Sequence, residues 1–515
     1  MKPQNPPTAN QISHVRQYIK HTWQKLTRGH ADLLNAAQDP KADESEQEQL
    51  IIYISQKEDA QNIRKILSKE NPQDFDKIAI KQLPDNILNV ETHGLLYQPG
   101  EYVVPGGRFN EVYGWDSYFI LLGLLQDNEQ ALAHSLTHQL LYQVEHYGAV
   151  LNANRTYYLT RSHPPLLSRM VLELYTHTQD SDDLLKALPA LITYYDYWLQ
   201  PEHLDKESGL SRYWDFGNGP APEVVSGECD DQGRTHFDRV KEFYRETKVE
   251  AYDLSLYYDA ERDELTELFY KGDRTMRESG FDPTHRFGPF SVDIIHYLPV
   301  CLNSLLYQME QDIVTIYTHL SEHSSQEQQP QFQAERQRWQ SRAQQRQRSI
   351  NQYLWDEEQG LYLDYHLTTR QRRHYPYATT FYPLWTGLAS SAQAQRVVDN
   401  LPTFEAPGGV RTSTYTSGNQ WDDPFGWAPL QLIAVEGLQR YGNNKSATRL
   451  ARQFVSLVIE DFERTGSIVE KYDLNARSSE VSQGIQYGYS SNEIGFGWTN
   501  GVVLALLKFL EESDS

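Results

Sequence analysis

The chain has 515 residues, 39% hydrophobic and 23% charged, with a formal net charge of −23. That balance suits a soluble globular protein with one large core or two to three domains, and the acidic excess excludes nucleic acid and anionic membrane as partners. Two cysteines, Cys229 and Cys301, with no CxxC and no HExxH, rule out a disulfide framework and give no metal signature.

Taken in chain order, MKPQNPPTANQ lacks the basic start and apolar run of a secretion signal, so a cytoplasmic protein is expected. Ile12, Val15, Ile19, Trp23 and Leu26 recur three or four apart, one face of a helix. Residues 40–75, acidic and amide-rich, read as solvated helix and linker. Helical periodicity returns at 167–177, 184–199, 429–441, 447–462 and 499–512, and from Leu302 through Leu305, Met309, Ile313 and Ile316 to Leu320. Residues 321–348, rich in Gln, Glu and Arg, read as an exposed helix, and Gly442-Asn443 is a good helix stop. The longest apolar runs, YFILLGLL and VVLALLKFL, are too short to span a bilayer. No sustained period-two stretch marks a strand region. The rhythm of long helix and aromatic loop suggests helical hairpins closed into a ring, with the loops gathered at one end.

Those loops, at 98–117, 212–228, 278–291, 406–428 and 464–498, are where the chemistry sits. They hold Asp116 in GWDSYF, Asp215 in RYWDFGNG, Glu223 in PAPEVV, Asp282 in ESGFDPTHRF, Asp422 and Asp423 in QWDDPFGW, and Glu470 in VEKYD. Two separated carboxyls are what glycoside hydrolysis needs, one protonated to donate to the leaving oxygen and one ionised to activate water. Trp and Tyr beside them, drawn from 10 Trp and 34 Tyr, supply apolar faces for a sugar ring. An Asp in a loop is more often a cap or a turn residue, and an Asp before Pro283 is ordinary turn chemistry.

PGGRFNEVYGWDSYF (105–119) resembles the first signature of the trehalase family, and QWDDPFGWAP (420–429) resembles the second. NANRTYYLTRSHPP (152–165), SRYWD (211–215), ESGFDPTHRF (278–287), EKYD (470–473) and GFGWTNG (495–501) follow in the family's order. The resemblance spans roughly residues 90 to 510. It implies an all-α (α/α)6 barrel over residues 91–515, preceded by an N-terminal helical extension and linker over 1–90. It also implies inverting hydrolysis of a small α-glucoside with no metal or cofactor. By the same resemblance Asp282 is the general acid and Glu470 the general base. Arg108, Phe109, Trp115, Asp116, Asn152, Arg161, His163, Glu223, Gly280, Gln420 and Trp421 are the implied substrate-binding residues. A monomer or homodimer is expected.

The departures cluster. Ala221 stands where the family has an Arg, in APEV for RPES. His163 stands for a Gln, and Pro283-Thr284-His285 for Phe-Ser-Ser. QGIQYGYSSNEI (483–494) replaces a Gly-rich segment with a Glu beside its Tyr. The lost Arg and Glu belong, by resemblance, to the second sugar, so a kept glucosyl subsite and a rebuilt leaving-group subsite are expected, with glucosylglycerol as substrate. The alternative is an α,α-trehalase whose contacts come from residues such as Glu493, His285 or Tyr489. A non-catalytic sugar-binding protein on the same scaffold is a minor reading, weakened by retention of both Asp282 and Glu470, and a phosphorylase is a third, weakened by retention of Glu470, since phosphate needs no general base.

Overall fold

The structure is a computed structural model that describes residues 7–41, 49–225, 229, 232–482, 484–489 and 491–514. Among them, twelve ring helices alternate between an outer and an inner layer. The odd-numbered, outer ones are α1 (Ala9–Leu26), α3 (Gln130–Tyr147), α5 (Ser181–Tyr197), α7 (Gln329–Tyr353), α9 (Ser391–Asp399) and α11 (Asn444–Thr465). The even-numbered, inner ones are α2 (Asp116–Gln126), α4 (Leu167–Thr178), α6 (Val300–His323), α8 (Tyr382–Trp385), α10 (Ala428–Arg440) and α12 (Gly497–Asp514). Each inner helix packs on the next, and α12 returns to α2, which closes the (α/α)6 barrel. The closing contact depends on small residues: a Cβ on Gly501 would sit 1.9 Å from the Phe119 carbonyl oxygen and 3.4 Å from the Gly123 amide.

Burial explains one helix that periodicity misses. Outer α11 has an apolar stripe, and its predicted span 447–462 lies inside the observed one. Inner α2 is buried on nearly every side, from Asp116 to Leu121 and from Gly123 to Leu125, so it has no polar face to set a period. Neither α2 nor its outer partner α3 stands out as a periodic run. Gly442 does end α10, with φ +77 and its N–H bonded to the Gln439 carbonyl.

Two stretches differ from expectation. Residues 321–348 are not one exposed helix. They span the end of α6 and most of α7, and α7 buries Trp339, Ala343, Arg346 and Ile350 at spacings of four, three and four. Arg346 is carried into that stripe by a buried ion pair, 2.7 Å from Glu310, so a charge pattern read as solvated is partly internal.

The N-terminal 1–90 is more than helix and linker. Leu50–Ile54, Ile78–Gln82 and Leu95–Leu96 form a three-stranded parallel sheet, with helix Ala60–Glu70 crossing between the first two strands. The apolar run Leu50-Ile51-Ile52-Tyr53-Ile54 has no alternation because both faces are covered, Ile52 and Ile54 by one cluster and Ile51 and Tyr53 by another. Helix α1, started by a Thr8–Gln11 capping box, packs on α11 and α12 as a member of the ring. The acidic tract at 42–48 lies outside the described residues.

The inner helices start at one end of the ring. Asp116 is the first residue of α2, QWDDPFGW runs into α10, and GFGWTNG opens α12. Between α5 and α6, a further helix, Glu267–Glu278, brings the ESGFD loop to the same end. Among the described residues no helix is long and apolar enough to cross a membrane.

Candidate active site

The gathered loops enclose a cavity of about 410 Å³, the size of a small-molecule site. All thirteen residues expected at the site line it. Its floor is indole. Trp115 lies 6.0 Å from Trp421 and 5.7 Å from Trp498, and Trp421 stacks on Trp427 at 3.8 Å with 3° between planes. Such pairs add about 0.5–1.5 kcal/mol each beyond area burial, which makes the floor rigid.

Asp282 reaches the cavity because the chain turns sharply after helix Glu267–Glu278. Gly280 has φ +75, a left-handed conformation that a Cβ disfavours, and a Cβ there would lie 3.1 Å from the Trp115 ring. The loop is then clamped from several sides. The Gln420 amide donates to the Asp282 carbonyl at 2.5 Å, and Trp421 N–H donates to the Pro283 carbonyl at 3.2 Å. Asp422 accepts from His285 N–H at 2.9 Å, Thr284 Oγ1 at 3.2 Å and Tyr375 OH at 2.9 Å. Arg286 forks onto Asp364 at 2.7 and 2.5 Å in the buried core, a charge-assisted pair costing about 3–5 kcal/mol to break by removing one partner. Glu278, at the head of the motif, accepts from Ser162 N–H, Trp214 N–H and Tyr197 OH at 2.6 to 2.9 Å, so it holds the wall together.

The Asp282 carboxyl is surrounded by protein yet keeps 32% of its side chain open toward the cavity. Burial pushes its pKa up to about 6, against the pull of Arg277, 3.4 Å away, and Arg161.

Glu470 is placed by a two-stranded ribbon. Phe425–Trp427 pairs antiparallel with Lys471–Asp473, Trp427 opposite Lys471, which brings Glu470 beside the Gln420-Trp421 segment. Tyr489 OH donates to Glu470 Oε1, and Lys471 Nζ lies 3.3 Å from Glu470 Oε2. Burial raises this carboxyl above the usual range, while the Lys471 charge and the Tyr489 hydrogen bond favour its ionised form. Each oxygen keeps a second lone pair for a water. Gln420 spans the two carboxyl loops, since its carbonyl oxygen lies 3.3 Å from Lys471 Nζ while its amide holds Asp282. Asp116, on the floor, is raised well above the carboxylate range by burial, with the Glu470 and Asp282 charges adding to the effect.

Arg161 pairs with Glu223 and lies 3.5 Å from Asp215, so it is both an ion-pair partner and part of the lining. Asn152 donates to the Arg277 carbonyl at 3.3 Å. His163 Nδ1 accepts from Trp115 N–H at 3.3 Å, which leaves its proton on Nε2, and burial holds it neutral, well below the usual His range. Arg108 packs its guanidinium 5.2 Å from the Tyr489 ring centre, and Phe109 meets the same ring at 5.7 Å.

Several weighed residues do other work. Asp215, Asp422 and Asp423 are outside the lining and bind loops. Asp215 sits 3.2 Å from Arg274 and Asp423 accepts from Thr416 Oγ1 at 2.8 Å. Glu493 accepts from Arg108 N–H at 3.0 Å and is outside the lining, as is His285, which packs between Phe243 and Phe290. Of the odd Pro283-Thr284-His285 stretch only Pro283 meets the cavity. Arg277, Lys471 and Tyr158 belong to the site without having been expected there: Arg277 and Tyr158 line the cavity, and Lys471 backs Glu470. The signal for Arg277 and Lys471 was adjacency, since Arg277 precedes ESGFD and Lys471 lies inside EKYD.

A family model described as Trehalase matches residues 4–511. The cytosolic neutral trehalase of Kluyveromyces lactis is 37% identical over 441 residues, 79% of this chain and 56% of that protein. The periplasmic trehalase of Xanthomonas campestris pv. campestris is 35% identical over 439 residues, 81% of this chain and 70% of that protein. This chain thus spans little more than half the length of the yeast relative. The solved neutral trehalase from Saccharomyces cerevisiae superposes with a TM-score of 0.78 at 32% identity, covering 98% of this chain and 94% of that one. A mannosylglycerate hydrolase from Thermus thermophilus, with a TM-score of 0.51 and 18% identity over 79% of this chain and 95% of that one, shares the fold.

Proposed function

This chain belongs to the trehalase family, and we propose that it hydrolyses α,α-trehalose with inversion, Asp282 acting as general acid and Glu470 as general base. The observation that carries this reading is one cavity with two carboxyls in unlike settings. Burial raises both carboxyls, Asp282 to about 6 against the pull of Arg277 and Arg161, while Lys471 and the Tyr489 hydroxyl offset part of the rise at Glu470 and favour its ionised form. Asp282 gives its proton to the glycosidic oxygen as the bond to the anomeric carbon breaks. Glu470 takes a proton from the water that attacks the opposite face, so that half leaves as β-glucose. Trp115 and Trp421 supply the apolar bed, and Arg108, Asn152, Arg161, His163 and Gln420 supply donors for hydroxyls.

One observation favours a second substrate, glucosylglycerol. Ala221 is fully buried and outside the cavity lining, so no side chain at that position offers the second sugar a guanidinium. Supporting trehalose instead, Arg239 and His236, both on helix His236–Glu246, line the cavity and offer substitute contacts. The deciding experiment follows glucose release from α,α-trehalose and glucosylglycerol in parallel. A higher kcat/KM for trehalose is expected, and preference for glucosylglycerol would replace this reading with the second. Proton NMR of the first turnovers should show β-glucose from the attacked half, and its absence would remove inversion.

A cytoplasmic setting is part of the same proposal. It is supported by the two free thiols, Cys229 exposed and Cys301 buried. The names of the relatives divide between cytosolic and periplasmic, so cell fractionation is the test.

A further inference from the structure

Helix α3 carries His134 and His138 four residues apart, which sets both imidazoles on one face. Their rings stack with centroids 4.1 Å apart and 25° between planes. Asp183, in the first turn of α5, faces them, with Oδ2 3.0 Å from His134 Nε2. One ligand atom from each of the three residues lies within 4.8 Å of the others. All three side chains are half-buried, and none lines the cavity. Helices α3 and α5 each begin just after the turn that leaves an inner helix, so the trio sits at the end of the ring opposite the cavity.

A hydrogen bond between His134 and Asp183 accounts for two of these residues. It leaves His138 stacked on His134 with no hydrogen-bond partner among the described residues. Two imidazoles held face to face repel when both carry a proton, and they are brought into use together when they share a cation.

We propose that His134, His138 and Asp183 form a site for a divalent transition metal of the class of Zn²⁺, stapling outer helix α3 to outer helix α5. Two neutral imidazoles and one carboxylate are a common ligand set for that ion, with water completing the shell on the exposed side. Bonds of about 2.0–2.2 Å in a tetrahedral arrangement put donors roughly 3.3–3.5 Å apart. His134 and Asp183, 3.0 Å apart, therefore need to open by a few tenths of an ångström and the widest pair, at most 4.8 Å apart, to close by up to about 1.5 Å, within the side-chain rotation open to half-buried residues. The ion takes the place of the proton now shared between His134 and Asp183. Lys186 Nζ, 3.8 Å from Asp183 Oδ1 and largely exposed, faces the carboxylate from its own helix and is able to swing away.

The test uses the full chain, dialysed against a chelator and then titrated with Zn²⁺ by calorimetry, with thermal melts alongside. One Zn²⁺ bound per chain and a raised Tm are expected. H134Q and H138Q should each weaken binding by on the order of 10-fold or more and remove the Tm rise, and D183N should weaken it too. Their metal-free melts should stay near wild type, because these side chains are half-exposed, and so should glucoside hydrolysis, because the cavity is at the other end. Absence of stoichiometric Zn²⁺ binding would overturn the proposal, as would a H134Q/H138Q double variant that binds as tightly as wild type.

Discussion

Arg277 places one guanidinium nitrogen 3.4 Å from the Asp282 carboxylate and another 3.0 Å from the fully buried Asp273. One cation thereby does two jobs. It restrains how far burial raises the candidate acid, and it neutralises a carboxylate with no access to water.

Replacing Arg277 by Gln separates these roles. Without the cation, the charged form of Asp282 loses its nearest stabiliser, so the pKa of about 6 moves higher. The alkaline limb of log(kcat/KM) against pH should then shift to higher pH, and a limb that stays put or moves down would contradict the assignment. Asp273 is meanwhile left buried and unpaired, at a cost of about 3–5 kcal/mol, which denaturant titration should register.

Asp282→Asn and Glu470→Gln should each lower kcat by about 10²–10⁴-fold or more, with far-UV circular dichroism and Tm near wild type. An active Asp282→Asn variant would end the acid assignment.

In the unaltered protein, kcat/KM should fall as pH rises through about 6, where Asp282 loses its proton. The stability effect has the same direction. The folded pKa lies above the ordinary 3.8, so the contribution of Asp282 is full below pH 3.8 and lost as pH rises through about 6. Potentiometric or chemical-denaturation titrations over that window measure it.

Tyr489→Phe removes the hydroxyl that donates to Glu470. A hydrogen bond to a charged group is worth about 1.5–3 kcal/mol, or about one to two pKa units. The Glu470 pKa should rise by that amount, moving the acid limb of the pH–rate profile to higher pH. An unmoved acid limb would show that Glu470 does not set it.

Gly280→Ala should destabilise the chain by about 1–3 kcal/mol, since φ +75 is strained for Ala and the Trp115 ring is 3.1 Å from the new Cβ. Because Asp282 is two residues on, kcat should fall with it. A variant with wild-type stability and rate would show that the turn tolerates a side chain.

The motifs carried the site further than the helices carried the fold. ESGFD, EKYD, the two long signatures and the NANRTYYLTRSHPP and APEV stretches brought all thirteen expected residues to the cavity wall, because the chemistry fixes residue types at short range. Periodicity found α11 and α12 but not α2 or α3. For α2 the reason is that a helix buried on all sides has no polar face to alternate with. The parallel strand Leu50–Ile54 escaped for the same reason, being covered on both faces.

What the sequence alone determined is the set of groups available for chemistry, down to Asp282 and Glu470, and the ring of helices that the family pattern implies. What only the tertiary structure decided is their company. Arg277 and Lys471 become partners of the two carboxyls, Gln420 spans both loops, Asp422, a candidate carboxylate on paper, binds loop backbone, and Glu493, named as a substitute sugar contact, accepts from the Arg108 N–H. A carboxyl's role depends on its burial, its neighbouring charges and its donors. Some of those neighbours are local, as Lys471 is to Glu470, but others, such as Gln420, reach Asp282 from 138 positions away, and a motif read along the chain does not display them.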